Sequence, residues 1–404
     1  MRTPIHDFLR AYCALNSERC HMPGHKGVLN PHDITEINAE AISIIEQSEL
    51  LAAELFGAGR TLFSCSGSTL SIFAMLTALV KNGAGKRIAA TRGAHRSLID
   101  AAILLDLDIA WNLDAANADA VFITSIDYYG NMTPVPKLKA DTPVLVDNAH
   151  GAYLVFTENH PIRNGAAMVA DSAHKTLPAL TGAAYLHISK DYFTEERAKH
   201  AETSKCLFGT TSPSYLLLES LDLCNRHIAL EKERALAAFD AVAGLKADLT
   251  QLGYALKSTD PLRITIDACQ FGYSGRGLAR ELANRGVICE MCDDRYTILL
   301  FSTVTRAENT ARVLVAMREI PRKSLIEPVS RECFELPEIA MRPRAAYFAD
   351  KKTLPTAKAI GRVCAGVHVT VPPCVPLIMP GEIISSEIAA ELERSGLREI
   401  DVVA

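Results

Sequence analysis

The sequence has no apolar run long enough to cross a membrane, and even Ala101-Ala-Ile-Leu-Leu105 is interrupted at Asp106. The first residues, Met1-Arg-Thr-Pro-Ile-His-Asp7, lack the apolar core of a secretory signal, so export is not expected. Internal repeats and low-complexity tracts are also missing. With 49% hydrophobic and 22% charged residues, the composition is that of a globular protein rather than a disordered one. We therefore expect a cytoplasmic protein without a membrane partner.

An excess of positive charge is lacking as well. The formal net charge is −5, and an acidic balance argues against a nucleic-acid partner held by phosphate contacts. Charge does not identify a small substrate, because a local carboxylate can bind a cation on any background.

A metal-binding or disulfide-forming pattern is missing too. The 11 cysteines have scattered spacings and are expected to be reduced thiols. Cys289-Glu-Met-Cys292 is a single C-x-x-C pair without a second pair. Between His21 and His25, Pro23 and Gly24 prevent the helix that would align two histidines on one ion. We expect no metal site.

What the sequence does have is an alternation of helical and strand patterns from about residue 40 to 235. Apolar residues recur at helical spacing over 42–55, 70–80 and 96–105. Short, uniformly apolar segments of strand type cover 87–90, 120–125, 143–147, 166–171 and 183–189. This alternation predicts an α/β unit with a mainly parallel sheet that is covered by helices on both faces.

The length of 404 residues exceeds one ordinary core and suggests more than one structural unit. A helical pattern over 214–243 is followed by Gly244, a plausible stop signal. Beyond it, strand-like and helical segments suggest a smaller α+β unit. We predict an N-terminal segment at 1–40, a large domain at 41–245 and a C-terminal small domain at 246–404.

Ser64-Cys-Ser-Gly-Ser-Thr69 comes directly before a helical pattern. Such a turn exposes free backbone N–H groups at the positive end of a helix, beside hydroxyl groups, which suits a phosphate dianion. The alternative is that serine and threonine only cap the helix, and capping is the commoner role. Taken alone, the turn favours the capping interpretation.

Two further polar residues follow apolar strands. Asp147 ends one predicted strand and Lys175 comes just after another, where functional groups of open α/β sheets gather. An aspartate there can hold a proton on a ligand nitrogen, or simply form a turn. A lysine there can be an amine nucleophile toward an aldehyde, or simply extend to the surface. The combination with the phosphate-type turn, in this order, matches the requirements of pyridoxal phosphate.

The chain resembles the Orn/Lys/Arg decarboxylases of fold type I, the aspartate-aminotransferase-like pyridoxal-phosphate enzymes. The resemblance covers residues 2 to 385 and rests on motifs in family order: His21-Met-Pro-Gly-His-Lys-Gly27, Asp33-Ile-Thr-Glu36, Ser66-Gly-Ser-Thr69, Asp147-Asn-Ala-His-Gly151, Asp171-Ser-Ala-His-Lys175, Thr210-Thr-Ser-Pro-Ser-Tyr215 and Met379-Pro-Gly-Glu382. It implies an α/β large domain with a seven-stranded, mainly parallel sheet and a smaller α+β C-terminal domain.

The resemblance also implies roles for the matching positions. Lys175 would form the Schiff base with pyridoxal phosphate, and His95 would stack on the pyridine ring. Asp147 would pair with the ring nitrogen, and Ala149 and His150 would line the same pocket. The residues implied at the phosphate are Ser66, Gly67, Ser68, Thr69, Ser172 and His174. Thr211 and Ser212 would reach the phosphate bound to the neighbouring subunit, which implies a homodimer with shared active sites.

The activity implied is decarboxylation of arginine, lysine or ornithine to the amine, as in polyamine metabolism. Lys175 or a pocket histidine would return the proton to Cα. We expect Glu382, or the neighbouring Glu290 and Asp293, to bind the distal cation of the substrate by charge complementarity.

Two departures from the family pattern keep alternatives open. Val371-Pro-Pro-Cys-Val-Pro376 stands where the family commonly has Y-P-P-G-I-P, and Gly361-Arg-Val-Cys-Ala-Gly366 has glycine where an acidic residue is usual. Both belong to the region expected to shape the substrate side. An aminotransferase, another lyase or a non-catalytic cofactor-binding relative therefore remains an alternative.

Overall fold

The protein is described here from a computed structural model, which covers residues 1–15, 17–35, 39–83, 85–111, 117–138, 142–327, 335–369 and 375–404. Two of the motifs reach outside these residues, since Glu36 and most of the departing segment, residues 371–374, are not among them. No helix in the described ranges is long and apolar enough to span a membrane. The nine cysteines in these ranges are all free thiols.

Seven strands of the described chain form one sheet, in the order β1-β7-β6-β5-β4-β2-β3. They are β1 (Arg60–Ser64), β2 (Arg87–Ala90), β3 (Asp108–Trp111), β4 (Ala120–Thr124), β5 (Val144–Asp147), β6 (Met168–Asp171) and β7 (Ala184–Ile188). All pairs from β3 to β6 are parallel, and only β7 runs the other way, between β6 and β1. The predicted mainly parallel sheet is confirmed. β1 and β3 are not predicted from the sequence.

Helices cover both faces of this sheet, as the uniformly buried strands require. In chain order they are α1 (Pro4–Ala14), α2 (Ala39–Phe56), α3 (Gly67–Lys81), α4 (Arg96–Leu105), the short α5 (Ala173–Thr176), α6 (Glu195–Phe208), α7 (Tyr215–Leu230) and α8 (Lys232–Gln251). One core joins the sheet to α3, α4 and α6, and the other joins it to α1, α2, α7 and α8.

The pleat sends alternate strand residues into these two cores. In β5, Leu145 enters the core of α3 and α4, whereas Val144 and Val146 enter the opposite core. In β6, Val169 enters the core of α2 and α7. Two residues after Leu145, Asp147 therefore points toward α3 and α4, and Asp171, two residues after Val169, points to the opposite face.

The helical prediction over 214–243 is wrong in its limits. The segment forms two helices, α7 and α8, which are separated at Glu231. α8 continues through Gly244, because Val242, Leu245 and Leu249 are buried on one side of it. An interior glycine costs a helix only about 1 kcal/mol, which this burial outweighs. The domain boundary at residue 245 stays a prediction.

The C-terminal part contains a three-stranded antiparallel sheet of β8 (Arg263–Asp267), β9 (Met291–Cys292) and β10 (Tyr296–Leu300), with β10 in the middle. The helices α9 (Gly275–Ala283) and α10 (Ala307–Arg318) belong to this part. The remaining elements are α11 (Pro343–Phe348), β11 (Lys351–Pro355), β12 (His368–Val369), β13 (Pro376–Ile378), α12 (Ser386–Arg394) and β14 (Glu399–Val403). The smaller α+β unit of the prediction is therefore present.

Candidate active site

The predicted site residues gather at one edge of the large sheet. Asp147 is the last residue of β5, and Lys175 lies in α5, directly after β6. His95 precedes α4 in the segment that follows β2. Because β1 runs in the same direction as β6, the turn that leads from β1 into α3 ends at this edge as well. Carboxyl ends of parallel strands meet at one edge, and this is where ligands of open α/β sheets bind.

The turn before α3 leaves the N-terminus of that helix uncapped. Ser66 occupies the N-cap position, but its side chain makes no capping hydrogen bond. Ser64 Oγ instead donates to the carbonyl of Gly67, whose own N–H donates to Gly182 O at 2.7 Å. Ser68 and Thr69 follow in the first turn, where N–H groups have no intrahelical partner. The capping alternative is therefore not realised, and this helix end can receive an anion.

A hydrogen bond joins this turn to the lysine segment. Ser172 Oγ donates to Ser68 Oγ over 2.9 Å, although 104 residues separate the two serines in the chain. Gly67 has a φ of 69°, and a Cβ built on it would meet no atom within 4 Å. Open space therefore adjoins the hydroxyl groups and the helix end. This arrangement fits a phosphate group.

His95 and Asp147 face the same space from neighbouring strand ends. His95 Nδ1 accepts hydrogen bonds from the backbone N–H and the hydroxyl of Ser97, which places the ring at the start of α4. Burial lowers the pKa of His95, as does the charge of Lys175, while Asp147 opposes the shift. A neutral imidazole held in this way suits stacking on a flat aromatic ring.

Asp147 is buried, and one of its oxygens is engaged. Oδ1 accepts a hydrogen bond from the N–H of Ala149 at 3.1 Å, and the backbone carbonyl accepts from the N–H of Ser125 at 3.0 Å. Among the described residues, Oδ2 has no hydrogen-bond partner. A carboxylate that is positioned by its neighbours and retains one oxygen suits a protonated ring nitrogen.

Lys175 contacts His150 and Tyr128. Its Nζ lies 3.1 Å from His150 Nε2 and 5.6 Å from the centre of the Tyr128 ring. The His150 and Tyr128 rings are 4.6 Å apart in an edge-to-face arrangement. His150 is buried, and burial together with the charges of Lys175 and Arg263 holds the pKa of this histidine well below its ordinary value. The amine therefore lies beside a neutral imidazole.

His174 is held differently from its neighbour Lys175. Its Nδ1 donates to the carbonyl of Ala183 at 3.0 Å, which fixes the ring against β7. Burial lowers the pKa of His174, and the charge of Lys175 lowers it further. The carbonyl of the next residue, Thr176, accepts from the N–H of Thr303 at 3.0 Å, so the C-terminal part secures the lysine segment.

Two residues of this site are missing from the sequence-based set. Tyr128 lies in the turn after β4, and Arg263 begins β8, where its guanidinium lies 2.8 Å from His150 Nδ1. The signal for Tyr128 was an Asp-Tyr-Tyr-Gly turn after an apolar strand. For Arg263 no local signal exists, because 113 residues separate it from His150.

Asp171 lies outside this site, on the opposite face of the sheet. Its carboxylate accepts hydrogen bonds from Asn148 at 2.7 Å and from His160 at 2.9 Å, and His187 Nε2 lies 3.3 Å away. The groups of His160, Asp171 and His187 are close enough to share a metal ion. In this structure His160 is hydrogen-bonded to Asp171, whereas His187 Nε2 is close to the carboxylate but makes no hydrogen bond. The cluster lies at the end of β6, next to the segment that carries Lys175.

Thr211 and Ser212 are exposed in the segment just before α7. The N–H of Ser212 donates to Thr210 Oγ1 at 3.1 Å, which is a local turn contact. Close by, the carbonyl of Ser214 accepts a weak hydrogen bond from Cys65 Sγ at 3.9 Å. Their predicted contact with a neighbouring subunit's cofactor stays a prediction.

The prediction that Glu382 binds substrate is wrong. This carboxylate is fully buried and forms a two-pronged ion pair with Arg92, at 2.6 and 3.0 Å. It also accepts hydrogen bonds from Trp111 Nε1 at 2.9 Å and from the N–H of Met379 at 2.8 Å. With four donors in place, no oxygen is left for a substrate cation. Glu382 instead attaches the C-terminal segment to β3.

Asp293 and Glu290 remain possible substrate contacts. Asp293 Oδ2 accepts a hydrogen bond from Tyr129 at 2.9 Å, and Tyr129 follows the Tyr128 that contacts Lys175. Asp293 Oδ1 accepts from two backbone N–H groups, those of Arg295 and Tyr296. Glu290 is exposed next to β9. Asp293 thus contacts the residue that follows Tyr128 in the chain, while a role for Asp293 or Glu290 stays a prediction.

Replacing Glu382 by glutamine is expected to destabilise the fold without changing substrate preference. The substitution removes the charge that Arg92 pairs with and sets an amide against the N–H of Met379. We expect a loss of about 2–4 kcal/mol in the free energy of unfolding, measured by urea denaturation. The exposed Glu387→Gln is the matched control. A changed preference among amino acids at unchanged stability would contradict the assignment.

The site therefore fits pyridoxal phosphate by its own geometry. An uncapped helix end with open space beside it suits the phosphate, and Asp147 retains an oxygen for the ring nitrogen. His95 presents a neutral ring, and the amine of Lys175 suits the aldehyde.

Comparisons with known proteins agree with this fit. Residues 113–250 match the Orn/Lys/Arg decarboxylase major domain, and residues 327–393 match the C-terminal domain of the same family. An arginine decarboxylase of Bacillus subtilis (strain 168) is 28% identical over 454 aligned positions, covering 95% of this chain and 92% of that protein. An arginine decarboxylase of Halalkalibacterium halodurans is also 28% identical and covers 98% of this chain and 94% of that protein.

Solved structures share the fold. Lysine decarboxylase A from Pseudomonas aeruginosa aligns with a TM-score of 0.80 at 16% identity, over 99% of this chain and 80% of that chain. The constitutive lysine decarboxylase of E. coli aligns with a TM-score of 0.76 at 16% identity, over 100% of this chain and 82% of that chain. The fold type I architecture is confirmed, and pyridoxal phosphate is the cofactor of this family and fold type. By its two matched domains, its motifs and its fold, the chain belongs to the Orn/Lys/Arg decarboxylase family.

Proposed function

We propose that this protein decarboxylates a basic amino acid (arginine, lysine or ornithine) to the corresponding amine with the help of pyridoxal phosphate. The observation that carries the proposal is the position of Lys175 Nζ, 3.1 Å from His150 and at the sheet edge shared with His95, Asp147 and the end of α3. The relatives named arginine decarboxylase support the same class of substrate.

When bound, pyridoxal phosphate supplies an electron sink for the pair of electrons that the departing CO₂ leaves behind. The protein's own residues would hold and orient the cofactor and the substrate. Lys175 would provide the amine that holds the cofactor, beside the imidazole of His150. Asp147 provides the negative charge that holds a proton on the ring nitrogen. Ser68, Thr69 and Ser172 provide donors for the phosphate.

His95 and Tyr128 enclose this space with their side chains. Excluding water would strengthen each electrostatic contact within it. The proton that returns to the substrate carbon would come from Lys175 or from a pocket histidine such as His150, whose Nε2 lies 3.1 Å from the lysine nitrogen.

The substrate side of the proposal rests on charge. A basic side chain needs an acidic partner, and Asp293 is a carboxylate hydrogen-bonded to Tyr129, the residue after Tyr128. Glu290, three residues earlier and exposed, is the second candidate. The three basic substrates differ in length and head group, so the depth of the pocket sets the preference among them.

We also propose a homodimer in the cytoplasm, acting in polyamine-type metabolism. Supporting the dimer, apolar side chains are exposed in and after the His21–Gly27 motif, with Val28 86% and Leu29 82% exposed. Exposed apolar groups of this kind are typical of association surfaces. Thr211 and Ser212, also exposed, would then complete the partner's phosphate site. Sedimentation analysis tests the proposed dimer, and a measured mass of one chain, 43.9 kDa, would contradict it.

CO₂ release from a panel of amino acids tests the activity. We expect purified protein with added pyridoxal phosphate to release CO₂ and the amine from at least one of arginine, lysine and ornithine. Acidic and apolar amino acids should be turned over at least about 10²-fold less well, since they lack the positive charge that pairs with the acidic partner. Formation of a keto acid would indicate an aminotransferase instead. Cofactor binding without turnover of any amino acid would indicate a non-catalytic relative.

A further inference from the structure

Arg263 is a buried cation that reaches the lysine pocket from the C-terminal part of the chain. It is 1% exposed and is among the largest fully buried side chains of the described residues. One terminal nitrogen lies 2.8 Å from His150 Nδ1, and the other donates to the carbonyl of Asp127. Asp260, also buried, lies 3.6 Å from Arg263 Nε.

These contacts fix where His150 carries its proton. A guanidinium has donors only, so His150 Nδ1 has to accept and carries no proton. A neutral imidazole with an unprotonated Nδ1 is protonated at Nε2. Nε2 is the atom that lies 3.1 Å from Lys175 Nζ. The N–H of His150 therefore points at the lysine amine.

A donor on the histidine requires an acceptor on the lysine. An ammonium group has three donors and no lone pair, whereas a neutral amine has one lone pair. The contact at 3.1 Å is thus satisfied only when Lys175 is the neutral amine. The neutral amine is also the form that attacks an aldehyde.

We propose that Arg263 is a positioning residue that locks His150 in the Nε2–H tautomer, and that this tautomer holds Lys175 as a neutral amine poised for the cofactor. The inference rests on the proposed role of Lys175 in binding pyridoxal phosphate. In this proposal, the C-terminal part of the chain provides a residue that positions a side chain of the active site at the large sheet.

The other charged groups around Lys175 differ in whether they favour its ammonium form or its neutral amine. His95 and His174 face it as neutral rings, because burial lowers the pKa of each. Asp147, whose charge reaches His95, favours an ammonium. Arg263, behind His150, disfavours one. Tyr128 presents its ring to the amine. The tautomer of His150 adds a requirement on the direction of one hydrogen bond, because its Nε2–H needs an acceptor on Lys175.

Both the burial of His150 and its contact with Arg263 oppose protonation of the imidazole. Burial is the main reason for its lowered pKa, and the charge of Arg263 lowers that pKa further. An imidazolium would also place a proton on Nδ1, directly against the guanidinium donor. His150 therefore keeps a single proton across the neutral pH range.

Nitrogen NMR on the full-length apoprotein tests the tautomer directly. With ¹⁵N-labelled histidine, and with a His150 variant to assign the signals, we expect Nδ1 of His150 to show the shift of an unprotonated nitrogen and Nε2 that of a protonated one. The reverse pattern, or an imidazolium at pH 7, would overturn the proposal. This measurement needs no Arg263 variant to fold.

The rate at which apoprotein captures pyridoxal phosphate, followed by its visible absorbance as a function of pH, tests the effect on Lys175. In Arg263→Met we expect the midpoint of this profile to rise by about one pH unit, so that capture at pH 7 is about tenfold slower. Above the new midpoint the rate should return to that of the wild type. A rate lowered equally at all pH values would mean a merely structural role and would overturn the proposal.

The variant His150→Asn distinguishes the effect of the histidine tautomer on the pH midpoint from the effect of the Arg263 charge. The asparagine oxygen can accept from Arg263 in place of Nδ1, but no donor reaches Lys175. We expect the same rise in the midpoint, and no further rise in the double variant with Arg263→Met, because both act through one contact. Additive shifts, or an unshifted His150→Asn, would contradict the proposal.

Arg60→Met is the matched control, since it breaks another largely buried ion pair, with Glu49 at 3.2 Å, at the far end of β1. Its midpoint should stay at the wild-type value. Lys175→Ala separates this proposal from the proposed function: capture that persists without Lys175 refutes the function, while the NMR result for His150 stands by itself.

Discussion

Replacing Lys175 by alanine is expected to abolish the visible absorbance of bound pyridoxal phosphate and to lower decarboxylation by at least about 10³-fold. Lys175 is the lysine at the sheet edge shared with the uncapped end of α3, His95 and Asp147. Its Nζ contacts a neutral His150, which favours the nucleophilic amine. Spectroscopy and CO₂ release on the same purified sample measure both effects.

Two further variants make this prediction specific. Lys175→Arg keeps a cation of similar length, but a guanidinium stays protonated and does not attack an aldehyde, so it should fail in the same way. Lys190→Ala removes an exposed lysine just beyond β7 and should leave the spectrum and the activity unchanged. An unchanged spectrum in Lys175→Ala would refute the cofactor site as a whole.

Replacing Asp171 by asparagine is expected to lower the free energy of unfolding by about 3–5 kcal/mol. The carboxylate is fully buried and accepts from Asn148 and His160, with His187 at 3.3 Å. His160 accepts from the N–H of Ile162 at Nδ1, so its Nε2 has to donate. An amide would place a second donor among these donors. Urea denaturation at pH 7 measures the loss.

The pH dependence of this loss has a definite sign. Burial raises the pKa of Asp171, but the charge and hydrogen bond of His160, with those of His187, outweigh it and hold the pKa well below the ordinary value. A lowered carboxyl pKa contributes stability that is present above about pH 4 and is lost as the pH falls further. The difference between wild type and Asp171→Asn should therefore be constant above about pH 5 and shrink below about pH 4.

His187 adds a separate acid-side loss in the wild type. Burial lowers its pKa, so the unfolded chain binds a proton that the folded chain does not. Stability should accordingly fall as the pH drops below about 6.5. Asp191→Asn, an exposed aspartate, is the control for both curves. A variant as stable as wild type at pH 7 would contradict the structural role of Asp171.

Much of the fold follows from local pattern. Four of the apolar segments that predict strands end within one residue of β2, β4, β5 and β7, and the segment at 166–171 ends with β6. The weaker predictions concern elements whose pattern is set by distant partners. β1 pairs with β7 across more than a hundred residues, and α8 passes Gly244 because its apolar side is buried. Such burial is a property of the assembled chain, so no local window contains it.

The candidate site likewise contains residues that local motifs predict and residues whose role depends on distant contacts. Lys175, His95, the turn before α3 and Asp147 are named by motif and order, and the structure brings them to one edge of the sheet. Glu382 was assigned by charge alone, and charge does not reveal that Arg92, 290 residues away, already neutralises it. The domain limits and the individual roles of site residues stay predictions.

The sequence by itself determined the class of fold, the family and the lysine, because periodicity and short motifs are local properties of the chain. It named Asp147 rather than Asp171 by motif alone, since both residues stand at the ends of apolar strands. The tertiary structure supplies the physical reason: the pleat points Asp147 toward α3 and α4, and Asp171 toward His160 on the other face. The same holds for Arg263, which reaches His150 because the C-terminal part packs against the turn after β4. Contacts between residues far apart in sequence depend on which surfaces the folded chain buries together, and that is not a local property.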